Sequence, residues 1–348
     1  MRICKAEIFT YCIPLRRPLT SFPSSTERRG LLLLLTDDKK NKSWGEIAPL
    51  PGLHRETFVQ AQENLFSVLE ILKSSHFWQR KADDDVFMPE ELHDVDLLPS
   101  VRFGIEMAIW GWPESLAFFK PMTTKVKVNG LLSGTSEEIR AKAKTLKRQG
   151  YDVLKLKVGR KDIDSDIALL QQLRALGDHI KLRLDANRSW DFEQALYFAA
   201  KVAGLNIDYI EEPLRDIHRL DEFYAATGIP FAIDESLVDL TTFPKMTKAL
   251  VLKPSFIGGI EKTICLIRQG EQQNIQPVIS SAFETGLGLT TLARLAGMIP
   301  GNAAMGLDTW RWLRHDLIKP RFRARNGTVS IVSGPHPFQV NHAFFTII

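Results

Sequence analysis

Short apolar or alternating segments recur along the chain from about residue 125 onward, and helical segments separate them. Period-two alternation is typical of a half-buried strand, whereas apolar residues three and four apart form one face of a helix. Eight strand segments follow one another: Lys125–Asn129, Val153–Val158, Ile180–Asp185, Ile207–Glu211, Pro230–Asp234, Ala249–Lys253, Pro277–Ser281 and Ala304–Leu307. Because strands that alternate with helices form parallel β-α units, the pattern predicts an α/β fold with a (β/α)8-type barrel.

The intervening segments carry the signals of helix ends. Thr135 followed by Glu138 forms a capping box, and Gly150 ends that helix just before the second strand. Ile167 and Leu170 lie at helical spacing, as a helix packed on the outside of a barrel requires.

Residues 1 to about 120 follow a different pattern, which predicts an α+β capping domain packed on the barrel. Its expected elements are strands at Ile3–Ile13 and Leu31–Thr36 and helices at Glu56–Ser74 and Arg102–Trp112. Prolines, serines and a glycine predict a mobile loop at 18–30. We expect the barrel and the active site in residues 121–308. A C-terminal segment, 309–348, should return to the capping domain through a strand at Val329–Gly334.

Composition and charge narrow the class of protein. The chain has 348 residues, 44% of them hydrophobic and 25% charged, which is typical of a globular protein. Its longest apolar run, Leu31–Leu35, is far shorter than the roughly 20 residues that cross a membrane. Lys5 and Glu7 interrupt the position of a signal peptide, so we expect a cytoplasmic enzyme with no membrane partner.

Charge and cysteine content argue against two further classes. With 45 basic and 41 acidic residues the net charge is +4, which favours a small anionic substrate over nucleic acid. Cys4, Cys12 and Cys265 are too few and too widely spaced for a disulfide framework or a metal cluster, and we expect three buried thiols. The sequence does not indicate the oligomeric state.

Five successive predicted strands end in an ionisable residue. These are Lys157, Asp185, Glu211, Asp234 and Lys253, each about one β-α unit from the next. Catalytic groups of such barrels lie at the C-terminal ends of the strands. We therefore expect these five side chains to surround one cavity.

Three neighbouring carboxylates repel one another unless a cation lies between them, and hard oxygen ligands favour Mg²⁺. Lys155 shares a strand face with Lys157, and Arg183 shares one with Asp185. A lysine near Mg²⁺ and a second ammonium should have a lowered pKa and act as a base. A metal together with a lysine base indicates removal of a proton α to a carboxylate.

These residues resemble the enolase superfamily, in its muconate-lactonising subgroup. Within it, Gly45–Gly52, Arg183–Asn187, Leu252–Ser255 and Ser280–Gly288 resemble the o-succinylbenzoate synthase family. The resemblance implies a modified (β/α)7β barrel and a hydro-lyase of menaquinone biosynthesis. This enzyme would dehydrate 2-succinyl-6-hydroxy-2,4-cyclohexadiene-1-carboxylate to o-succinylbenzoate with Mg²⁺, or Mn²⁺ as an alternative.

The resemblance also assigns roles to residues. It implies Asp185, Glu211 and Asp234 as metal ligands, with Glu211 preferred to Glu212, Lys157 as acid and base, and Lys253 as its counterpart across the cavity. The residues expected to contact the substrate are Lys155, Arg183, Asn187, Ser280, Ser281 and Gly286. For Arg183 and Asn187, orientation of the carboxylates is an equal alternative, and Glu235 is expected to support Lys253 or Asp234.

Two alternatives remain at this point. An N-acylamino acid racemase or dipeptide epimerase of the same superfamily would also use two opposed lysines. Dipeptide epimerases carry an Asp-x-Asp pair after the eighth strand, where this chain has only Asp308. A non-catalytic binding protein would have lost one of the five ionisable groups, and all five are present.

Overall fold

A computed structural model describes residues 2–19, 25–74, 88–112, 121–159, 162–331 and 338–348. The strands are β1 (Ile3–Pro14), β2 (Glu27–Asp37), β3 (Lys42–Ile47), β4 (Lys125–Lys127), β5 (Gly130–Leu132), β6 (Val153–Lys157), β7 (Lys181–Asp185), β8 (Ile207–Glu211), β9 (Phe231–Ile233), β10 (Thr247–Leu252), β11 (Gln276–Ile279), β12 (Ile318–Lys319), β13 (Thr328–Ser330), β14 (Gln339–Val340) and β15 (Phe345–Ile347).

The helices lie mostly between the barrel strands. They are α1 (Phe58–Ser67), α2 (Leu69–Ser74), α3 (Pro99–Trp110), α4 (Ser136–Arg148), α5 (Ile163–Arg174), α6 (Phe192–Val202), α7 (Leu220–Thr227), α8 (Pro254–Ile257), α9 (Ile260–Gln272) and α10 (Gly286–Ala296). Short 3₁₀ helices occur at Glu90–Leu92, Ile217–Arg219, Glu235–Val238, Asp308–Trp312 and His342–Phe344. In the ranges given above, no helix is long and apolar enough to cross a membrane.

The barrel prediction is confirmed. β5 to β11 form one parallel sheet in sequence order. Bridges from Met305 to Val128 and from Gly306 to Ser280 close the sheet, so the eighth strand is reduced to two bridging residues. The first barrel strand begins later than predicted, because Lys125–Lys127 pairs antiparallel with β13 and β5 begins at Gly130.

Local signals in the sequence account for the helix that follows β5. The Thr135 side chain accepts a hydrogen bond from the Glu138 N–H (3.2 Å), and the Glu138 carboxylate accepts one from the Thr135 N–H (2.7 Å). This predicted capping box is therefore confirmed. Gly150, with φ of 77°, follows the end of the helix in the left-handed conformation that glycine adopts without strain.

The N-terminal unit, β1–β3 with α1–α3, has an antiparallel sheet in the order β15-β1-β2-β3. Its central strand β2 is buried on both faces, which explains the uninterrupted run of five leucines. Leu31, Leu33 and Leu35 pack into a core with the helices of this unit. Leu32 and Leu34 belong to the larger core that continues into the barrel.

Three sequence expectations need correction here. Val329 pairs with Val126 beside the barrel, where both side chains are buried, and β15 is the strand that joins the N-terminal sheet. Of the loop expected at 18–30, Glu27–Gly30 belongs to β2, because these residues pair with β1, and residues 20–24 lie outside the described residues. The three cysteines are exposed; Cys4 and Cys12 lie on solvent-facing positions of β1.

Candidate active site

Parallel register brings the ionisable strand ends to one level. Lys157 lies beside Asp185, and Asp185 lies beside Glu211, across three adjacent strands. Asp234 directly follows β9, and Lys253 directly follows β10. Because consecutive strands are neighbours in the sheet, the five residues form a continuous row at the C-terminal end of the barrel.

A cavity of about 850 Å³ opens at this end of the barrel. Strand ends form its floor, and the N-terminal unit forms part of its wall. Of the five ionisable strand ends, Lys157, Asp185 and Lys253 line the cavity, whereas Glu211 and Asp234 are not among the lining residues in the described part of the chain. From the N-terminal side the cavity is lined by Leu19, Leu50, Gly52, Leu53 and Arg55.

Ammonium and carboxylate groups neutralise one another in the floor. Lys155 Nζ contacts Glu211 Oε2 and lies 3.2 Å from Asp185 Oδ2. Lys157 Nζ lies 3.9 Å from the same Asp185 oxygen, and Lys253 Nζ donates to Asp234 Oδ1 (2.5 Å). The three carboxylates are each no more than 3% exposed, so their charge depends on these partners.

Burial and charge shift the pKa values of the row in different directions. Burial raises the pKa of Glu211 to about 7, against the opposing effect of Lys155. Burial likewise raises the pKa of Asp234, whereas the ammonium groups of Lys155, Lys157 and Lys253 outweigh burial and lower the pKa of Asp185.

The pKa values of two lysines also shift. Burial lowers the pKa of Lys155 and Lys253, but the neighbouring carboxylates outweigh burial and raise both, that of Lys155 well above its usual value. Carboxylate oxygens contact both ammonium groups directly, which accounts for the direction of these two shifts. The lowered pKa expected of the base lysine beside Mg²⁺ stays a prediction.

The carboxylates offer hard oxygen donors of the kind that Mg²⁺ takes. Asp185 Oδ1 is buried, and within the described part of the chain it has no hydrogen-bond partner, so it is available to a ligand. As placed, no three of the described acidic, histidine and cysteine side chains form a ready metal site. The reason is that Lys155 and Lys253 lie against the carboxylates. The donor chemistry fits the metal, provided that these ammonium groups move aside.

The two consecutive glutamates after β8 have separate tasks. Glu211 is buried within the row, where Lys155 contacts it. Glu212 accepts hydrogen bonds from the N–H groups of Asp234 (2.8 Å) and Ser236 (2.9 Å) and from the Ser236 hydroxyl (2.7 Å). Glu212 thus fixes the backbone that carries Asp234, and only Glu211 is directed into the row.

Asn187 lies between a lysine of the row and an acidic side chain of the rim. Its Oδ1 accepts from Lys157 Nζ (2.6 Å), and its Nδ2 donates to Glu235 Oε1 (2.5 Å). Asn187 therefore orients Lys157, and Glu235, which lines the cavity, fixes the Asn187 amide by accepting its hydrogen bond. Of the predicted substrate contacts, Lys155, Asn187, Ser280 and Ser281 line the cavity.

Two predicted substrate contacts need correction. Arg183 lies below the row, where its guanidinium donates to Asp208 (2.9 Å) and to the Ala304 carbonyl (2.5 Å). Gly286 is at the start of α10, and its N–H donates to Asp316 Oδ1 (2.8 Å). Neither residue is among the described residues that line the cavity, because Arg183 lies deeper in the barrel than Asp185 and the Gly286 N–H is directed to Asp316.

Sequence reasoning missed the buried charges that join the N-terminal unit to the cavity loops. Arg28 donates to the carbonyls of Phe283 (3.0 Å) and Ala282 (3.2 Å) and to those of Pro49 (2.9 Å) and Ala48. Its position on β2, beside the run of leucines, was assigned to a loop. The sequence shows only two arginines just before the run of leucines, and nothing in it distinguishes the buried Arg28 from the exposed Arg29.

A second link involves a carboxylate of β3. Glu46 accepts hydrogen bonds from the N–H (2.9 Å) and hydroxyl (2.8 Å) of Thr285 and from the N–H of Gly288 (2.9 Å). These groups start helix α10, whose N-terminus favours negative charge. Tyr11 donates to the same carboxylate (2.6 Å).

Comparison with known proteins identifies relatives for both parts of the chain. Residues 138–335 match the family described as Enolase C-terminal domain-like, and residues 3–112 match the family described as MenC, N-terminal domain. The o-succinylbenzoate synthase of Pasteurella multocida is 33% identical over 331 residues, which is 91% of this chain and 93% of that protein.

A second relative is much longer than this chain. Protein PHYLLO, chloroplastic, of Arabidopsis thaliana is 30% identical over 343 residues, and the match covers 85% of this chain but 20% of the length of that protein.

Among solved structures, the Enterococcus faecalis V583 dipeptide epimerase complexed with Mg and a dipeptide superposes with a TM-score of 0.83 at 20% identity. The match covers 96% of this chain and 98% of that one, and at this identity it establishes the fold alone. The chain therefore belongs to the o-succinylbenzoate synthase family of the enolase superfamily.

Proposed function

We propose that the chain is an Mg²⁺-dependent hydro-lyase that converts 2-succinyl-6-hydroxy-2,4-cyclohexadiene-1-carboxylate to o-succinylbenzoate in menaquinone biosynthesis. One observation carries this proposal: Lys157 and Lys253 stand at the two ends of the row of Asp185, Glu211 and Asp234. Family membership supports the same reaction, because curated relatives of similar length are named o-succinylbenzoate synthases.

Asp185, Glu211 and Asp234 would hold the metal. Bound there, Mg²⁺ would supply positive charge that stabilises added negative charge on the substrate carboxylate. The partnerless Asp185 Oδ1 supports this assignment.

The two lysines have different roles, and only Lys157 transfers protons. Lys157 Nζ takes the proton α to the carboxylate and then returns a proton to the departing hydroxyl on the same face, so that water leaves and the amine is restored. Lys253, held between both oxygens of Asp234, remains an ammonium and stabilises the negative charge that develops. Asn187 keeps Lys157 in place through its amide oxygen.

The rival reaction is racemisation or epimerisation, since a dipeptide epimerase has the same fold. Asp308, the carboxylate that follows the eighth strand, argues against a substrate with an α-ammonium group, because it already has partners within the protein. Asp308 accepts hydrogen bonds from Arg311 (2.7 Å) and Tyr151 (3.2 Å), so its negative charge is already neutralised by the Arg311 guanidinium.

The test compares the two reactions directly. The purified protein with Mg²⁺ should remove the cyclohexadiene absorbance of the substrate, and EDTA should stop this loss until Mg²⁺ is added back. A racemisation assay on N-succinylamino acids runs beside it. Racemisation without any dehydration would reject the proposal in favour of the rival.

A further inference from the structure

An exposed ion pair spans the rim of the cavity between the N-terminal unit and the barrel. Arg55 Nη2 lies 2.8 Å from Asp239 Oδ1, with 78% and 54% of the two side chains exposed. Both residues line the cavity. An exposed pair of this kind contributes little to stability, so the guanidinium exchanges partners readily.

The backbone that carries Arg55 is firmly held, although its side chain is exposed. The neighbouring His54 is buried; its Nδ1 accepts from the Leu50 N–H (2.9 Å), and its Nε2 lies 3.1 Å from the Ser255 carbonyl. The backbone therefore keeps Arg55 at the edge of the cavity, and the planar guanidinium matches the geometry of a carboxylate.

The charges that line the cavity leave few cations for a second substrate carboxylate. The three lysines contact carboxylates of the row or orient toward them. Besides these lysines, the described lining residues include two cations, Arg55 and Arg188. Arg188 directly follows Asn187 at the end of β7, on the side of the proposed metal ligands, whereas Arg55 approaches from the N-terminal unit.

We propose that Arg55 determines specificity by binding the distal carboxylate of a dianionic substrate, and that Asp239 competes with this carboxylate for the guanidinium. The inference rests on the proposed function, because that substrate carries one carboxylate for the metal and a second at the end of its succinyl group. A monoanion would leave Arg55 paired with Asp239 and would gain nothing from it.

The experiment measures calorimetric affinities, in the presence of Mg²⁺, for o-succinylbenzoate and for 2-butanoylbenzoate, which has a methyl group in place of the distal carboxylate. Arg55→Met should weaken binding of the dianion by roughly tenfold to a hundredfold and leave the monoanion unchanged. Asp239→Asn should strengthen binding of the dianion by roughly twofold to fivefold, because the competing carboxylate is gone.

Arg29→Met is the matched control. Arg29 also forms an exposed ion pair, with Glu27 at 3.1 Å, but it does not line the cavity, so neither affinity should change. Equal weakening of both ligands by Arg55→Met and Asp239→Asn would identify a latch between the units and overturn the proposal. Loss of dianion selectivity in Arg188→Met, with none in Arg55→Met, would overturn it as well.

The wild-type protein separates this inference from the function on which it rests. If it binds o-succinylbenzoate more tightly than 2-butanoylbenzoate and Arg55→Met keeps that ratio, only the role of Arg55 is wrong. If the wild-type protein shows no dehydration and no preference for the dianion, the proposed function itself fails.

Discussion

Buried charges serve different purposes in the barrel floor and in the contact between the two units. In the floor, Lys155 and Lys253 pair with carboxylates that also suit a metal, so each charge has an alternative partner. At the contact, Arg28 and Glu46 bind backbone groups of the loop that precedes α10. A metal or a substrate does not replace these backbone groups, so the contacts of Arg28 and Glu46 stay closed.

The difference separates residues that take part in chemistry from residues that hold geometry. A charge pair between side chains can open when a metal or substrate arrives, because the new partner replaces the old one. Arg28 instead fixes Phe283, a cavity-lining residue with φ of 62°, a conformation that non-glycine residues adopt with strain. Substitutions in the floor should therefore act on turnover, and substitutions at the contact should act on stability.

The largest effect is expected at the base of the row. Lys157→Ala should lower turnover by roughly 10²- to 10⁴-fold, because proton removal and hydroxyl departure both use its amine. Lys253→Arg should keep more activity than Lys157→Arg, since only charge is needed there. Exchange of the substrate α-proton with deuterated water, followed by NMR, checks the roles. Wild-type exchange in Lys157→Ala, together with none in Lys253→Ala, would reverse them.

The metal ligands should give the next largest effect. Chelation should abolish activity, and Mg²⁺ should restore it. Asp185→Asn should weaken Mg²⁺ binding by at least tenfold to a hundredfold, roughly the loss that even outer-shell changes cause. Calorimetry with Mg²⁺ alone measures this without reference to turnover. Asp164→Asn, at an exposed position of α5 where the carboxylate accepts a hydrogen bond from the Tyr197 hydroxyl, is the control. Equal Mg²⁺ affinity in all three proteins would contradict the ligand assignment.

Much of the barrel could be predicted because its geometry is repetitive. Period two and the parallel register place Lys157, Asp185 and Glu211 at one level, so spacing along the chain was sufficient to find the row. Arg183 was misplaced as a substrate contact, because strand period gives the face of a residue but not its depth in the barrel. The domain boundaries at residues 120 and 308 stay predictions.

The two arginines that the N-terminal unit contributes could not be predicted. Arg55 lines the cavity, and Arg28 contacts the backbone of the cavity-lining Phe283, only because this unit docks with one particular face on the barrel. That face is set by packing of Leu32 and Leu34 into the shared core. In the sequence these leucines look the same as the neighbouring Leu31 and Leu33, which serve the other core.

The contact between the units should show the largest effect on stability. Arg28→Met should lower the free energy of unfolding by about 3 kcal/mol, because the substitution removes the donor of several buried carbonyls. The change in the urea midpoint at constant slope measures it. Arg29→Met, one residue away and exposed, should change stability by less than about 0.5 kcal/mol. If Arg28→Met lowered turnover strongly and left the free energy of unfolding unchanged, the contact between the units would serve the reaction and the distinction between the two regions would be wrong.

His54 gives the smallest expected effect, and it depends on pH. Burial lowers its pKa to about 4, and Arg28 acts in the same direction while Glu56 opposes it. The unfolded chain, with a histidine pKa of about 6.5, takes up a proton first, so stability present above that pH is lost as the pH falls toward 4. His54→Asn keeps an acceptor for the Leu50 N–H without titrating.

The difference in unfolding free energy between wild type and His54→Asn should therefore fall by about 2 kcal/mol from pH 7.5 to pH 5. Urea unfolding of both proteins at several pH values measures it. Groups that titrate in both, such as Glu106, whose pKa burial raises to about 7, cancel in the difference. A difference that stays constant with pH would mean that His54 takes up a proton as readily in the folded protein as in the unfolded chain. Its hydrogen bonds within the contact would then change on protonation, as those of the floor lysines do when a new partner arrives.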